Sequence, residues 1–313
     1  MPSFSVVTPT LNQAAFIEKT IQSVLVQNYP QFEHIVIDGG SSDGTVEILK
    51  KYPHLDWISE KDKGRADALN KGFALAEGDV IAWVNSDDYY LPETFLKVAG
   101  FFERNPDAQI VVGRVRVVNA EGRFLFDQDA YPENQLHFEG LLKFWKNKTL
   151  PQPSIFFKRE ALLAVGLFNP ALHDYPDYDL VLRLSQKFKI YSVPDFFSAI
   201  CIQDDAGSVI DIKNGVLERK LLEVSRPHWK KLPFLKRVQI TVLHALWSPM
   251  IWMRARYERF ALRHKDQLKR AWREKKSIRS FLYENRALWR NYPAESFFAV
   301  IHFLVKTKNE GPR

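Results

Sequence analysis

The feature that most constrains this chain is an alternation, sustained over residues 4–90, of short β-rich runs with stretches at helical spacing. Phe4-Ser5-Val6-Val7-Thr8-Pro9-Thr10 ends at a proline, and Ile17, Ile21, Val24 and Leu25 then recur as one helix face. Phe32 to Asp38 breaks into Gly39-Gly40-Ser41-Ser42-Asp43-Gly44-Thr45 and a helix through Val46 and Leu49. Trp57-Ile58 gives a short strand, Ala66 to Ala76 a helix, and Asp79 to Val84 a nearly continuous apolar run, as in a strand buried on both faces of a parallel sheet. Such strands, each followed by a helix, predict a right-handed α/β layer.

Beyond residue 90 the spacing predicts a helix over Pro92 to Glu103, a strand over Gln109 to Val118, and a hairpin turn at Asn119-Ala120-Glu121-Gly122 before Phe124. Residues 127–150 are irregular and aromatic. A strand at Ser154 to Lys158, helices at Arg159 to Val165 and Tyr178 to Lys187, and a strand at Lys189 to Val193 follow. From about residue 213 only helices are expected.

In an open parallel sheet a ligand lies beyond the carboxyl ends of the strands. Asp38, the Asp62 to Asp67 stretch and Asp87-Asp88 all fall at such ends. Asp38 suits a turn-former or helix cap as well as a ligand, and Asp43 before Gly44-Thr45 reads as a turn-former or helix cap. The pair Asp87-Asp88 follows a strand too apolar for the surface, and adjacent carboxylates repel unless a cation or hydrogen-bond donors neutralise them. Hard oxygens there suit Mg²⁺ or Mn²⁺ shared with a diphosphate.

Composition separates the chain into two parts. The net charge of +7 hides 24 Lys and Arg against 8 Asp and Glu in residues 213–313, a balance of +16, which leaves 20 against 29, or −9, for the other 212 residues. An acidic body therefore carries a basic tail. One cysteine, Cys201, excludes an internal disulfide and a thiolate zinc cluster. Met1-Pro2-Ser3 runs into a strand pattern with no secretory-signal pattern, so a reducing, cytoplasmic setting is expected.

Taken in order, several segments resemble family 2 glycosyltransferases of the GT-A type: Val6 to Asn12, Ile37 to Thr45, Ser59 to Gly64, Asp67 to Phe73, Gly78-Asp79, Asn85 to Asp88, Pro151 to Phe157 and Asp177 to Leu180. The likeness covers roughly residues 4–210. It implies a Rossmann-like α/β fold, with a mostly parallel central sheet and helices on both faces, over residues 1–212. Residues 1–118 would form the nucleotide-sugar half and 119–212 the acceptor half, with 213–313 as a helical extension. It further implies donor contacts from Thr8, Pro9, Asn12, Asp38, Gly64, Arg65, Asp67, Asn70, Ser86 and Asp87, with Asp38 on the nucleobase and Asp87 near the ribose. Asp88 would hold the Mn²⁺ or Mg²⁺ that helps a nucleoside diphosphate, UDP favoured, to depart.

Inverting transfer needs a carboxylate to take the proton of the acceptor hydroxyl, and the likeness places Asp177 in that role with Asp179 as its competitor. The plain alternative is that Asp174, Asp177 and Asp179 are acids at a helix start. Many relatives carry Arg-x-His near the end of the catalytic domain, whereas Ile200 to Ser208 here holds neither residue; Asp205 is a candidate substitute ligand. His173 and His34 read as loop and packing residues, and Arg183 as an ion-pair partner or packing support.

Residues 233–290 alternate Phe, Trp, Leu and Ile with Arg and Lys, and no run reaches the ~20 apolar residues of a membrane span. Amphipathic helices with cationic flanks suit an anionic headgroup layer, which attracts each nearby Lys or Arg by roughly 1 kcal/mol. The expected location is peripheral, on the cytoplasmic face of an inner membrane, near a glycan or lipid-linked acceptor. The alternative is packing on the catalytic domain or on a second subunit, as in a homo-oligomer. Two other functions compete: a catalytically inactive nucleotide-sugar-binding protein, and a nucleic-acid-binding protein acting through the tail. The tail has no zinc-finger, homeodomain or RNP-type signature, so no nucleic acid is expected. Sugar nucleotidyl transfer would require a Gly-rich phosphate loop where Thr10-Leu11-Asn12-Gln13 stands.

Overall fold

A computed structural model describes residues 1–128, 131–144, 150–203, 207–214 and 216–245. Asp205 and the tail from residue 246 onward, where most of the proposed membrane helices fall, lie outside these. The chain divides into two units. One comprises Met1–Ala206 with Arg219–Leu232, so residues 219–232, part of the stretch expected to begin the extension, pack with the first unit.

That unit contains strands β1 (Phe4–Thr10), β2 (Phe32–Asp38), β3 (Leu55–Ser59), β4 (Val80–Trp83), β5 (Tyr89–Tyr90), β6 (Ile110–Asn119), β7 (Phe124–Gln128), β8 (Ile155–Lys158) and β9 (Ile190–Ile202). Its helices are α1 (Ile17–Leu25), α2 (Thr45–Leu49), α3 (Arg65–Leu75), α4 (Thr94–Arg104), α5 (Phe138–Leu141), α6 (Arg159–Val165) and α7 (Pro176–Lys187). The sheet order is β3-β2-β1-β4-β8-β6-β9-β5, with β7 beside β6. The β3-β2-β1-β4 half is parallel, whereas β8 runs antiparallel to both neighbours and β6 pairs parallel with β9. Because β1 leads to β2 on one side and β4 lies on its other side, the order reverses at β1/β4, where an open α/β sheet has its ligand crevice.

Burial follows the sequence pattern. Every residue of β1 and β4 is buried, as continuous apolar runs demand. Below the sheet Phe4 stacks on Phe95 at 4.7 Å with Tyr29, Tyr90 and Phe156 around it, and on the α3 side Phe73, Trp83, Phe157 and Phe168 form a second aromatic group. Gly72 lets α3 reach β1, since a Cβ there would overlap the Val7 side chain.

Several predicted elements differ in extent, two of them for a reason visible in the backbone. The helix expected from Pro92 starts at Thr94, because Glu93 takes a left-handed turn at φ 65°. The strand expected to stop at Val193 continues to Ile202 through Pro194. Pro194 is tolerated because the β6 pairing skips from Val112↔Ser192 to Arg114↔Phe196, a bulge at which proline leaves no ladder bond unmade.

The second unit comprises Gly207–Glu218 and Pro233–Arg313. It contains α8 (Gly207–Asn214) and a helical stretch over residues 234–245, on which Phe234, Leu235, Val238 and Val242 are exposed. Helix α9 (Leu217–Trp229) belongs from Arg219 onward to the first unit. Among the described residues no helix is long and apolar enough to cross a membrane.

Candidate functional site

At the ends of β1 and β2 two loops are joined by short polar side chains. Asn12, at φ 53°, accepts the Ser42 N–H at 2.9 Å and its own N–H donates to Ser41 Oγ at 2.7 Å. Asp43 accepts the Ala14 N–H at 2.9 Å and the Thr45 hydroxyl at 2.6 Å, and that hydroxyl holds its carboxyl below the usual range. Asp38 is fully buried and accepts bonds from Gly40 N, Ser41 N, Ser41 Oγ and Ser59 Oγ, so its carboxylate shapes this loop. Thr8 and Pro9 lie inside β1, with the Thr8 hydroxyl 2.9 Å from His34 Nε2. His34, read as a packing residue, is indeed fully buried.

The turn after β4 is held by side chains from several elements. Thr20 of α1 donates its hydroxyl to the carbonyls of both Ser86 (2.9 Å) and Asp88 (2.7 Å), which fixes the turn from below. The carboxylate of Asp88 is 5% exposed; Oδ1 accepts the Cys201 N–H at 2.9 Å and Oδ2 only a long 3.3 Å contact from the Asn85 amide. Burial, and then the charge of Asp87, push Asp88 well above the usual carboxylate range, against smaller opposing effects that include the Arg65 guanidinium. Asp87 accepts the Gln203 side-chain N–H at 2.9 Å. Asn85 also donates to Gln152 Oε1 at 3.0 Å, and Gln152 in turn holds the Trp83 carbonyl at 2.7 Å.

The start of α3 adds to this side. Asp62 Oδ1 accepts the Gly64 N–H and Asp67 Oδ2 the Lys63 N–H, so the loop turns sharply at Gly64, whose φ of 108° excludes most other residues. The Lys63 N–H, helped by Lys71, holds Asp67 below the usual range. Arg65 is exposed at the first position of α3. Asn70 instead spends its amide on the backbone N–H and carbonyl of Phe168, at 2.9 Å each, and so anchors the turn that precedes α7.

Helix α7 carries the two remaining acids on different faces, since successive residues turn by 100°. Asp179, 8% exposed, accepts Arg183 Nε at 2.8 Å and His228 Nε2 at 2.8 Å. Burial alone would raise its pKa; those two partners outweigh burial and keep it low. Arg183 also donates to the carbonyls of Val165, Gly166 and Leu167, which ties α7 to the end of α6. With Asp179 so engaged, Asp177 is the acid with reserve capacity: it is half-buried in the first turn, and its buried Oδ1 has no hydrogen-bond partner.

Three residues of this arrangement were not singled out in the sequence: Thr20, Gln203 and His228. Gln203 lies in the stretch where relatives carry Arg-x-His, and that departure was the signal available for it. His173, read as a loop residue, is exposed. Among the described residues no three His, Cys, Asp or Glu stand close enough to hold a metal ion by themselves. The oxygen most open to a hard cation is Asp88 Oδ2, which has only the long Asn85 contact, and phosphates and water would have to supply most of the shell.

Comparison with known proteins gives three results. The model of the family described as glycosyl transferase family 2 matches residues 5–166. A Mycobacterium bovis protein named as a PGL/p-HBAD biosynthesis glycosyltransferase is 30% identical over 190 residues, covering 58% of this chain and 69% of that protein. Among solved structures, S. aureus TarS 1-349 in complex with UDP-GlcNAc has a TM-score of 0.57 at 19% identity, over 83% of this chain and 81% of that one. Mannosyltransferase PcManGT from Pyrobaculum calidifontis, in complex with GDP-Man and Mn2+, has a TM-score of 0.57 at 18% identity, over 99% and 88%. At these identities the structural likeness establishes the GT-A fold alone.

Proposed function

This chain belongs to glycosyl transferase family 2, and from that premise we propose that it moves a sugar, with inversion, from a nucleoside-diphosphate sugar to a hydroxyl of a glycan or lipid-linked acceptor. The observation that carries this reading is the buried Asp88, a carboxylate raised by burial and by Asp87 at the strand-order reversal of a GT-A sheet. A divalent cation relieves that repulsion and, shared with the diphosphate, offsets the charge of the donor as well. Asp88 would hold Mn²⁺ or Mg²⁺, which when bound supplies Lewis-acid stabilisation of the departing diphosphate. A UDP-sugar is favoured as donor, in keeping with UDP-GlcNAc in the TarS complex, while GDP-Man and Mn2+ in PcManGT support the wider class.

In this reading the nucleotide lies beside the loops joined by Asn12, Asp38 and Asp43, with Arg65 over the diphosphate. Asp177 takes the proton of the acceptor hydroxyl. The acceptor oxygen bonds to the anomeric carbon as the bond from that carbon to the diphosphate oxygen breaks, and the nucleoside diphosphate leaves. The exposed Phe234, Leu235, Val238 and Val242, with Lys236 and Arg237 beside them, support peripheral contact with anionic lipid.

The test uses UDP-GlcNAc and GDP-mannose with Mn²⁺, following nucleotide release and calorimetric binding. Asp88→Ala loses Mn²⁺-dependent donor binding. Asp177→Asn binds donor normally and loses turnover. An Asp177→Asn protein with wild-type turnover refutes the base assignment.

A further inference from the structure

Helix α9 lies outside the family-matched residues 5–166, yet it packs in the same unit as the sheet. Its buried residues Leu221, Val224, Ser225, His228 and Trp229 recur at helical spacing, so one face is core and polar contacts on that face have fixed geometry. Two of its side chains reach the acids on either side of Asp177. Lys220 Nζ lies 2.9 Å from Asp174 Oδ1, on the chain just before the helix. His228, 4% exposed, lies with Nε2 2.8 Å from Asp179 Oδ1, while Gln186 Nε2 donates to its Nδ1 at 3.1 Å. That pair of bonds requires the Nε2–H tautomer, since a carboxylate only accepts and the Gln186 amide nitrogen only donates. The Phe138 ring meets His228 edge-on at 6.3 Å.

The Asp177 turn is itself unusual. Tyr175 at its start is left-handed, at φ 49°, Pro176 occupies the first helical position, and Asp177 Oδ1 has no internal bond to orient it. With no bond of its own at Oδ1, its placement follows that of the helix turn that carries it. Asp179 connects His228 through Arg183 to the carbonyls of residues 165–167, and the Phe168 backbone connects onward to Asn70 of α3, whose first turn carries Arg65 and Asp67. A polar chain thus runs from α9 past the candidate base to the donor-side helix.

We propose that α9 is a clamp for transfer, and that His228 is its positioning residue, holding Asp179 so that Asp177 faces the acceptor hydroxyl. The inference rests on the reading of Asp177 as base. A carboxylate misplaced by about 1 Å costs on the order of a hundredfold in rate while leaving donor binding unaltered. His228→Gln is the conservative variant, because its terminal amide donates from near the Nε2 position, and His228→Ala removes the bond.

The experiment measures nucleotide release from UDP-GlcNAc and GDP-mannose with Mn²⁺ for full-length wild type, His228→Ala, His228→Gln and Asp177→Asn, with calorimetric donor affinity and thermal unfolding of each. The clamp predicts that His228→Ala lowers kcat about tenfold to a hundredfold with donor KM and affinity within about twofold, and that His228→Gln recovers most of kcat. Wild-type kcat in His228→Ala, with Asp177→Asn inactive, overturns the clamp and leaves the base assignment standing. Parallel loss of kcat, donor affinity and thermal stability in both His228 variants makes the residue merely structural and also overturns it. Wild-type rates in Asp177→Asn, or no turnover by the wild type, bring down the transferase mechanism and the clamp with it.

Discussion

Acidification should destabilise this protein through one residue in particular, His34. Its ring is fully buried in β2, with Nε2 on the Thr8 hydroxyl and Nδ1 without a partner. Burial, followed by the nearby His54, lowers its pKa from 6.5 to about 3. A lowered folded-state pKa means that the unfolded chain binds the proton first. Above pH 6.5 both states are neutral and the full stability is present; as pH falls from 6.5 towards 3 the unfolded state gains. At about 1.36 kcal/mol per pH unit, the two units down to about pH 4.5 remove roughly 2.7 kcal/mol, and the whole interval roughly 5 kcal/mol. The comparison variant is His34→Gln, whose amide can meet Thr8 and does not titrate. Urea unfolding of both proteins at a series of pH values isolates the residue, because all other titrating groups are shared. The wild type is expected to lose about 2.7 kcal/mol more than His34→Gln between pH 6.5 and 4.5. Parallel pH profiles, or an NMR titration in which the folded His34 ring protonates near pH 6, would refute the reasoning.

Other substitutions probe the supports of the site. Thr20→Val keeps the shape of the side chain but strands the carbonyls of Ser86 and Asp88; it should cost about 1–3 kcal/mol in urea unfolding and weaken calorimetric UDP binding, and unchanged values would mean that the turn holds itself. Arg183→Met leaves Asp179 with His228 alone and uncovers three carbonyls, for a loss of about 3–5 kcal/mol. Arg183→Lys should recover little of this, because an ammonium cannot form the fork; recovery of full stability would contradict the geometry. Gly72→Ala forces α3 away from Val7, with an expected cost of about 1–3 kcal/mol and weaker donor binding, and a wild-type urea midpoint would refute the close-packing argument.

Local patterns were legible wherever their cause was local. The alternation of strands and helices, the helix Arg159–Val165 ending at Gly166, and the Asp43 turn bonded to Thr45 follow from spacing, turn chemistry and Asx bonding within a few residues. The acids at strand ends were visible because buried parallel strands announce where the crevice lies. Less legible were the course of β9 through Pro194, which depends on a bulge opposite β6, and the choice between Asp177 and Asp179, which two adjacent acids on one helix turn do not resolve in sequence. His228 bears on the second question by occupying Asp179, which is why the proposed mechanism assigns the base to Asp177.

The sequence by itself determined the class of fold, the acidic turn after β4 and the contrast between an acidic body and a basic tail, since periodicity, residue type and charge are properties of the chain before it folds. Tertiary structure alone decided which acids are already satisfied and which retain an unpartnered oxygen. Gln203 reaches Asp87 across 116 residues, Thr20 reaches Asp88 across 68, and His228 reaches Asp179 across 49. Such pairings depend on strand register and helix packing, and no local spacing encodes them, because burial couples groups by their distance in space and not along the chain.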